Sequence, residues 1–177
     1  MKLLVMSDTH YYNEYFERVL LKYKNKVDYI VHCGDSSLTK DDPLIKQVDF
    51  VVKGNHDDED FPPYIIFQDI CITHGHYYNV YKGYDEFIQL CKEHHCHICF
   101  HGHTHVPTHQ IHEGIHFINP GCLMMNRGSY GFGTYAYVEI NDSSVQVKYL
   151  HHETDEDVSD IVLEEGLSLL EEFKKLV

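Results

Sequence analysis

Five short apolar runs each end in a cluster of Asp, Asn, His and Gly: "KLLVMSDTH", "VDYIVHCGD", "VDFVVKGNHD", "ICITHGH" and "HICFHGHTH". A short apolar run that stops at such residues reads as a buried strand followed by a tight turn. Helical patterns separate the first of them. "YYNEYFERVLLKYK" carries Tyr15, Phe16, Val19, Leu20 and Tyr23 at helical spacing, and "DDPLIKQ" suits a short helix with Pro43 in its first turn. The order β-α-β-α-β demands a parallel sheet with helical crossovers. In such sheets ligands bind beyond the carboxyl ends of the strands, where these polar clusters fall.

The second half reads differently. "GYDEFIQLCKEHH" places Tyr84, Phe87, Ile88 and Cys91 on one helical face. After it, "HQIHEGIHFINPG" and "GTYAYVEINDSSVQVKYLHHE" read as hairpins turning at Glu113-Gly114 and Asn141-Asp142. The tail holds Leu163, Leu167, Leu170, Phe173 and Val177 at spacings of three and four, acidic residues early, and Lys174 and Lys175 late. That pattern predicts an amphipathic helix matched to its dipole and weakened by Gly166. Parallel α/β and antiparallel strands together predict an α/β (α+β) domain over residues 1–177, with two sheets packed face to face and helices outside.

Net charge is −14 over 177 residues. Binding to a nucleic-acid duplex rests on Lys and Arg neutralising phosphates, so this balance argues against it. Bound divalent cations are a local exception. No apolar run approaches the roughly 20 residues that span a bilayer, and Asp8 interrupts the first run before signal-peptide length. A cytoplasmic protein with no membrane partner is expected. The six cysteines are scattered. Cys96 and Cys99 form a C-x-x-C that admits a zinc or redox reading, but no second pair completes it. Reduced, mostly buried thiols are the expectation.

The residue types at the strand ends point to a metal site. Asp8 and His10 are two apart, as are His103 and His105, and in extended backbone such pairs project to one side. Asp, Asn and His without thiolate suit a first-row ion, and the carboxylates are too few for a calcium cage. Gly34, Gly54, Gly75 and Gly102 adjoin these residues, where a chain must turn or admit a close neighbour. Taken singly, Asp8 and Asp35 could be turn formers or helix caps. His76, His101, His32, His94, His95 and His97 read as structural or surface residues, and His109, His112 and His116 as a solvated sheet face.

The ordered set Asp8-x-His10, Gly34-Asp35, Gly54-Asn55-His56-Asp57, His74-Gly75-His76 and Gly102-His103-x-His105 resembles the calcineurin-like metallophosphoesterases. Small size and "NPG" at Asn119–Gly121, followed by Arg127, are most similar to their compact phosphodiesterase branch, which includes the retromer subunit Vps29. The resemblance implies a four-layer αββα sandwich of two mixed β-sheets flanked by helices. It also implies a dinuclear centre holding two divalent metal ions, Mn²⁺ foremost, with Ni²⁺, Fe or Zn²⁺ as alternatives. One ion would take Asp8, His10 and His105, the other Asn55, His74 and His103, with Asp35 bridging. Asn55 and His56 would bind substrate, and His56 would be the catalytic non-ligand histidine.

The activity so implied is metal-dependent hydrolysis of a small or nucleotide-like phosphodiester by attack of a metal-bridging hydroxide. Partners would be a small phosphoester substrate and, by self-association, a homo-oligomer. The alternative is a non-catalytic, Vps29-like protein-binding scaffold. Larger phosphatases of the superfamily continue the second motif as G-D-x-x-D-R. "GDSSLTK" lacks both residues, which argues against an Asp-assisted His56 and against strong phosphoprotein phosphatase activity.

Overall fold

The computed structural model describes residues 1–176; Val177, assigned above to the tail's apolar stripe, lies outside them. In chain order the elements are β1 (Lys2–Met6), α1 (Asn13–Tyr23), β2 (Tyr29–His32), β3 (Phe50–Val51), β4 (Tyr64–Phe67), β5 (Ile70–Thr73) and α2 (Asp85–Glu93). They continue with β6 (Ile98–Phe100), β7 (Thr108–His112), β8 (Ile115–Asn119), β9 (Thr134–Asn141), β10 (Ser144–His151) and α3 (Ser159–Leu176). One sheet has the order β10-β9-β1-β2-β3 and the other β4-β5-β6-β8-β7. Each is mixed: β1-β2-β3 and β5-β6-β8 run parallel, flanked by antiparallel strands.

The period of two along each strand builds the layers. Leu3 and Val5 of β1 enter the core between the sheets with Val31, Ile72, Ile98, Phe100 and Val138. Leu4 and Met6 point outward to Phe16, Val19 and Leu20 of α1. On the second sheet, Cys71, Cys99 and Phe117 face Phe87 and Leu90 of α2. This is the expected pair of mixed sheets covered by helices. Among the described residues no helix is long and apolar enough to cross a membrane.

Three local expectations differ. The segment after Pro43 forms only a short 3-10 turn, Ile45–Gln47. The last hairpin pairs Asn141 with Ser144, so Asp142 and Ser143 are its turn residues. The histidines of β7 and β8 do not share one face. His109 and His116 bond each other at 2.9 Å, whereas His112 packs on Tyr84; an offset of three residues reverses direction in a strand.

The buried stripe of α3 also differs from the sequence reading. It is Val162, Gly166 and Leu170, while Leu167 is exposed. Gly166 is no simple weakness. A Cβ there would stand 2.4 Å from the Pro107 carbonyl oxygen, so the helix crosses the chain just beyond His105 at backbone distance.

Gly166→Ala is therefore expected to lower the urea midpoint, since overpacking costs about 1–3 kcal/mol against a propensity gain of about 1 kcal/mol. A rise in the midpoint would contradict that close approach. A second prediction concerns Asp155, which binds Arg18, Lys22 and the Tyr135 hydroxyl and ties α1 to the end of the β9–β10 hairpin. Burial pushes its carboxyl up, but these partners together hold it below its ordinary value of 3.8. A depressed carboxylate contributes stability above its unfolded value and loses it as pH falls further. The Tm advantage of wild type over Asp155→Asn should shrink as pH drops below about 4.

Candidate metal centre

Every strand-end cluster arrives at one place. β1 delivers Asp8 and His10, and β2 delivers Asp35. β3 leads to Asn55 and His56, β5 to His74 and His76, and β6 to His103 and His105. The two-residue spacings do not work through extended backbone, as the sequence reading supposed. Asp8, His10, Asp35, His103 and His105 have φ of 55°, 45°, 56°, 69° and 58°, all left-handed. Each such residue costs about 1–3 kcal/mol and persists only where the surroundings enforce it.

The side chains form two groups. Asp8, His10 and His105 offer ligand atoms within 4.8 Å of one another, and so do Asp8, Asp35 and His74. His10 Nε2 and His105 Nε2 are 3.3 Å apart, and His74 Nε2 lies 3.3 Å from Asp35 Oδ2. Asn55 Oδ1 approaches His74 Nε2 at 3.2 Å. The His103 ring sits 5.0 Å from that of His74 and lies outside both groups. Asp8, rather than Asp35, is common to both.

These residues fit bound divalent metal. Asp8 is fully buried, and its Oδ1 has no hydrogen-bond partner. His105 Nε2 stands 3.1 Å away but out of line for a hydrogen bond. A buried carboxylate oxygen left unpaired is costly, and a cation relieves that cost. Carboxylate, imidazole and amide donors suit a first-row ion.

The charges are strongly coupled. Burial raises the Asp8 carboxyl, but facing His74 and His105 hold it well below the carboxylate range. Burial lowers His105, yet Asp8 and Cys122 carry it up to about 10. Burial takes His103 down to about 4, so its lone pair is free at neutral pH. A bound cation would compete with the proton on His105.

Several supporting residues carry no signal in their spacing. Asp57 is buried; Oδ2 accepts the Asp35 and Gly54 N–H groups at 2.8 Å each, and Oδ1 accepts from Ser36 and Ser37. It clamps two strand-end loops together and does not orient His56. Asp35 Oδ1 accepts the His56 backbone N–H at 2.7 Å, leaving the His56 side chain exposed. Asn119 of the "NPG" segment donates to Gly102 O and Thr104 Oγ1 and supports the His103 loop. Buried His32 bonds Thr9 and Gly34, and the Cys122 thiol bonds Asp8 O. His76 lies against Tyr77, with ring centroids 3.8 Å apart, beside His74, and His101 is buried against Tyr84 and Phe87. Arg127 is tied to the centre by its backbone N–H on His105 O. Its guanidinium donates to the Tyr81 hydroxyl, which donates to His103 O, and lies over Tyr81 and Phe173. A 430 Å³ cavity elsewhere, lined by Asp69, His97 and His116, gathers no comparable donor set.

Two mixed sheets with Asp, Asn and His donors gathered at the strand ends define a metal-dependent phosphoesterase fold. The profile of the calcineurin-like phosphoesterase superfamily domain matches residues 1–143, and the chain belongs to that superfamily. It is 29% identical over 167 residues to a probable metallophosphoesterase of Mycoplasma pneumoniae, covering 87% of this chain and 99% of that protein. It is likewise 29% identical over 132 residues to the probable metallophosphoesterase YsnB of Bacillus subtilis, covering 72% and 78%. The crystal structure of a predicted phosphoesterase from Streptococcus pneumoniae superposes with TM-score 0.83 at 34% identity, covering 89% of this chain and 92% of that one. The phosphoesterase YfcE of E. coli (TM-score 0.63, 20% identity, 90% and 97% covered) shares the fold. So does Zn²⁺-complexed Vps29 of Entamoeba histolytica (0.65, 17%, 86% and 100%).

The centre depends on backbone closeness at Gly54, where a Cβ would stand 2.0 Å from Asp35 Oδ1 and 2.2 Å from Asp35 N. Gly54→Ala must displace Asp35. Thermal melts with and without Mn²⁺ should show an ion-dependent rise in Tm for wild type and a diminished rise for Gly54→Ala. An equal rise in both would contradict the placement of Asp35 in the site.

Proposed function

We propose that residues 1–177 act as one phosphodiesterase domain that hydrolyses a small or nucleotide-like phosphodiester at a dinuclear centre. Asp8, His10, Asp35, Asn55, His74, His103 and His105 would be its ligands, and Mn²⁺ is the first choice of ion. The observation that carries this reading is the meeting of two donor groups on the buried Asp8 carboxylate, whose Oδ1 has no hydrogen-bond partner, beside an exposed His56. Two divalent ions held there would supply positive charge against the two carboxylates and lower the pKa of a water.

The chain's own residues do the rest. Asp35 holds the His56 backbone through its N–H. The imidazole then stands free to bind a phosphoryl oxygen or to protonate the leaving group. Asn55, next to it and also exposed, orients the substrate. No side-chain nucleophile is required: the Cys122 thiol is buried on Asp8 O, and Ser7 is buried too. Net positive charge at the centre draws an anionic ester to a chain of net charge −14. Buried free thiols agree with a reducing cytoplasmic setting. A Vps29-like scaffold has no physical need for an exposed histidine beside the donors, which favours the enzyme.

Hydrolysis of an aryl phosphodiester tests the reading. Turnover should require Mn²⁺, vanish with EDTA and vanish in Asp35→Asn. His56→Ala, with ions still bound, should lose roughly 10²–10⁴-fold in kcat. Absence of any metal-dependent turnover in pure wild-type protein would favour the scaffold, and full activity in His56→Ala would remove its assigned role.

A further inference from the structure

The six cysteines are free and buried, and three of them converge away from the Asp/His centre. Cys71 on β5 and Cys99 on β6 are direct partners in the parallel register. Cys91 descends from the last turns of α2. Their sulfurs lie within 4.8 Å of one another, and all three residues are 0% exposed. The C-x-x-C partner Cys96 is outside the group, its thiol directed to His94 O.

A buried thiol often serves as a small apolar filler. Fillers have no reason to aim at one point, and these come from three elements to do so. Val80, Phe87, Leu90 and Phe117 share the cluster with the trio, together with Tyr64, Tyr78 and Tyr84. With metal–sulfur bonds of about 2.3 Å, three sulfurs around one ion stand about 4 Å apart, within the observed limit.

We infer that Cys71, Cys91 and Cys99 form a second, thiolate metal site that takes a soft or borderline divalent ion such as Zn²⁺ or Cd²⁺. It is independent of the phosphodiesterase reading. Sulfur donors select such ions, whereas the Asp/His centre offers only oxygen and nitrogen. Binding is an exchange without redox change. Each thiol that coordinates ionises, releasing one proton to solvent for each metal–sulfur bond formed, and the ion's water ligands return to solvent. The facing Cys71 and Cys99 thiols hold Cys91 below its ordinary value. Burial pushes the Cys99 thiol well up, so protons compete and uptake strengthens with rising pH.

Cd²⁺ is the probe, titrated into reduced wild-type protein and, in parallel, supplied during expression so that entry into the core is not limiting. Sulfur-to-cadmium charge-transfer absorption should appear at one equivalent per chain. Cys71→Ser, Cys91→Ser and Cys99→Ser should each lose it, while Cys96→Ser and Cys122→Ser keep it. Absence of the band in wild type by both routes overturns the site. So does its loss in Cys122→Ser, which would assign the sulfur to the Asp/His centre, or its survival in the three core variants. Should those variants not fold, X-ray absorption on cadmium-loaded wild type decides: sulfur neighbours support the site, and oxygen and nitrogen alone overturn it.

Discussion

The structure is organised around a carboxylate buried where the two sheets meet. Asp8 has no exposed surface, and burial alone would drive its proton on. His74 and His105 oppose that drive, but one oxygen remains without a partner. Few folds tolerate such a group unless function retains it. Here neighbouring elements are shaped to it. The Cys122 thiol bonds Asp8's own carbonyl, and the His103 backbone N–H donates to Asp8 Oδ2 at 3.2 Å. Gly54 leaves space for the facing Asp35.

That organisation has a backbone cost, carried by turns rather than strands. The parallel strands end at Met6, His32 and Phe100, and the donors follow two to five residues later in left-handed conformations. A strand would send Asp8 and His10 to one side but could not bring them around to meet His105. A left-handed residue reverses the chain within two positions and aims both side chains at one point. Asp57 holds two of these turns together through four hydrogen bonds, so its own carboxylate is consumed in structure. α3 closes over the chain beyond His105, and Gly166 permits that closeness.

The layers were legible because period-two burial in β1 and helical spacing in α1 and α2 each specify one inward face. Convergence of the strand-end clusters followed from parallel topology alone. What sequence could not convey was the means. The i, i+2 argument reached the right residues by the wrong geometry, since a left-handed Asp or His has no signature separate from an extended one. Asp57 follows His56 in sequence, but adjacency does not reveal that its side chain turns back to the Asp35 loop. The stripe of α3 was misplaced by one residue at Val162, because Gly166 counts as a gap in a hydrophobic pattern and as a contact in a packed helix.

Strand parity also separates two kinds of donor. In β5, Ile70 and Ile72 face the core between the sheets while Cys71 faces α2. In β6, Ile98 and Phe100 do the same around Cys99. Both strands then run on to the oxygen and nitrogen donors at His74 and His103. One pair of neighbouring strands thus carries soft donors on its helical face and harder donors beyond its end, with apolar side chains between. A thiolate among the Asp/His donors would shift their preference toward softer ions. The alternation that builds the core also keeps these sulfurs out of that centre. Cys122, the exception, reaches it only with its thiol engaged on Asp8 O.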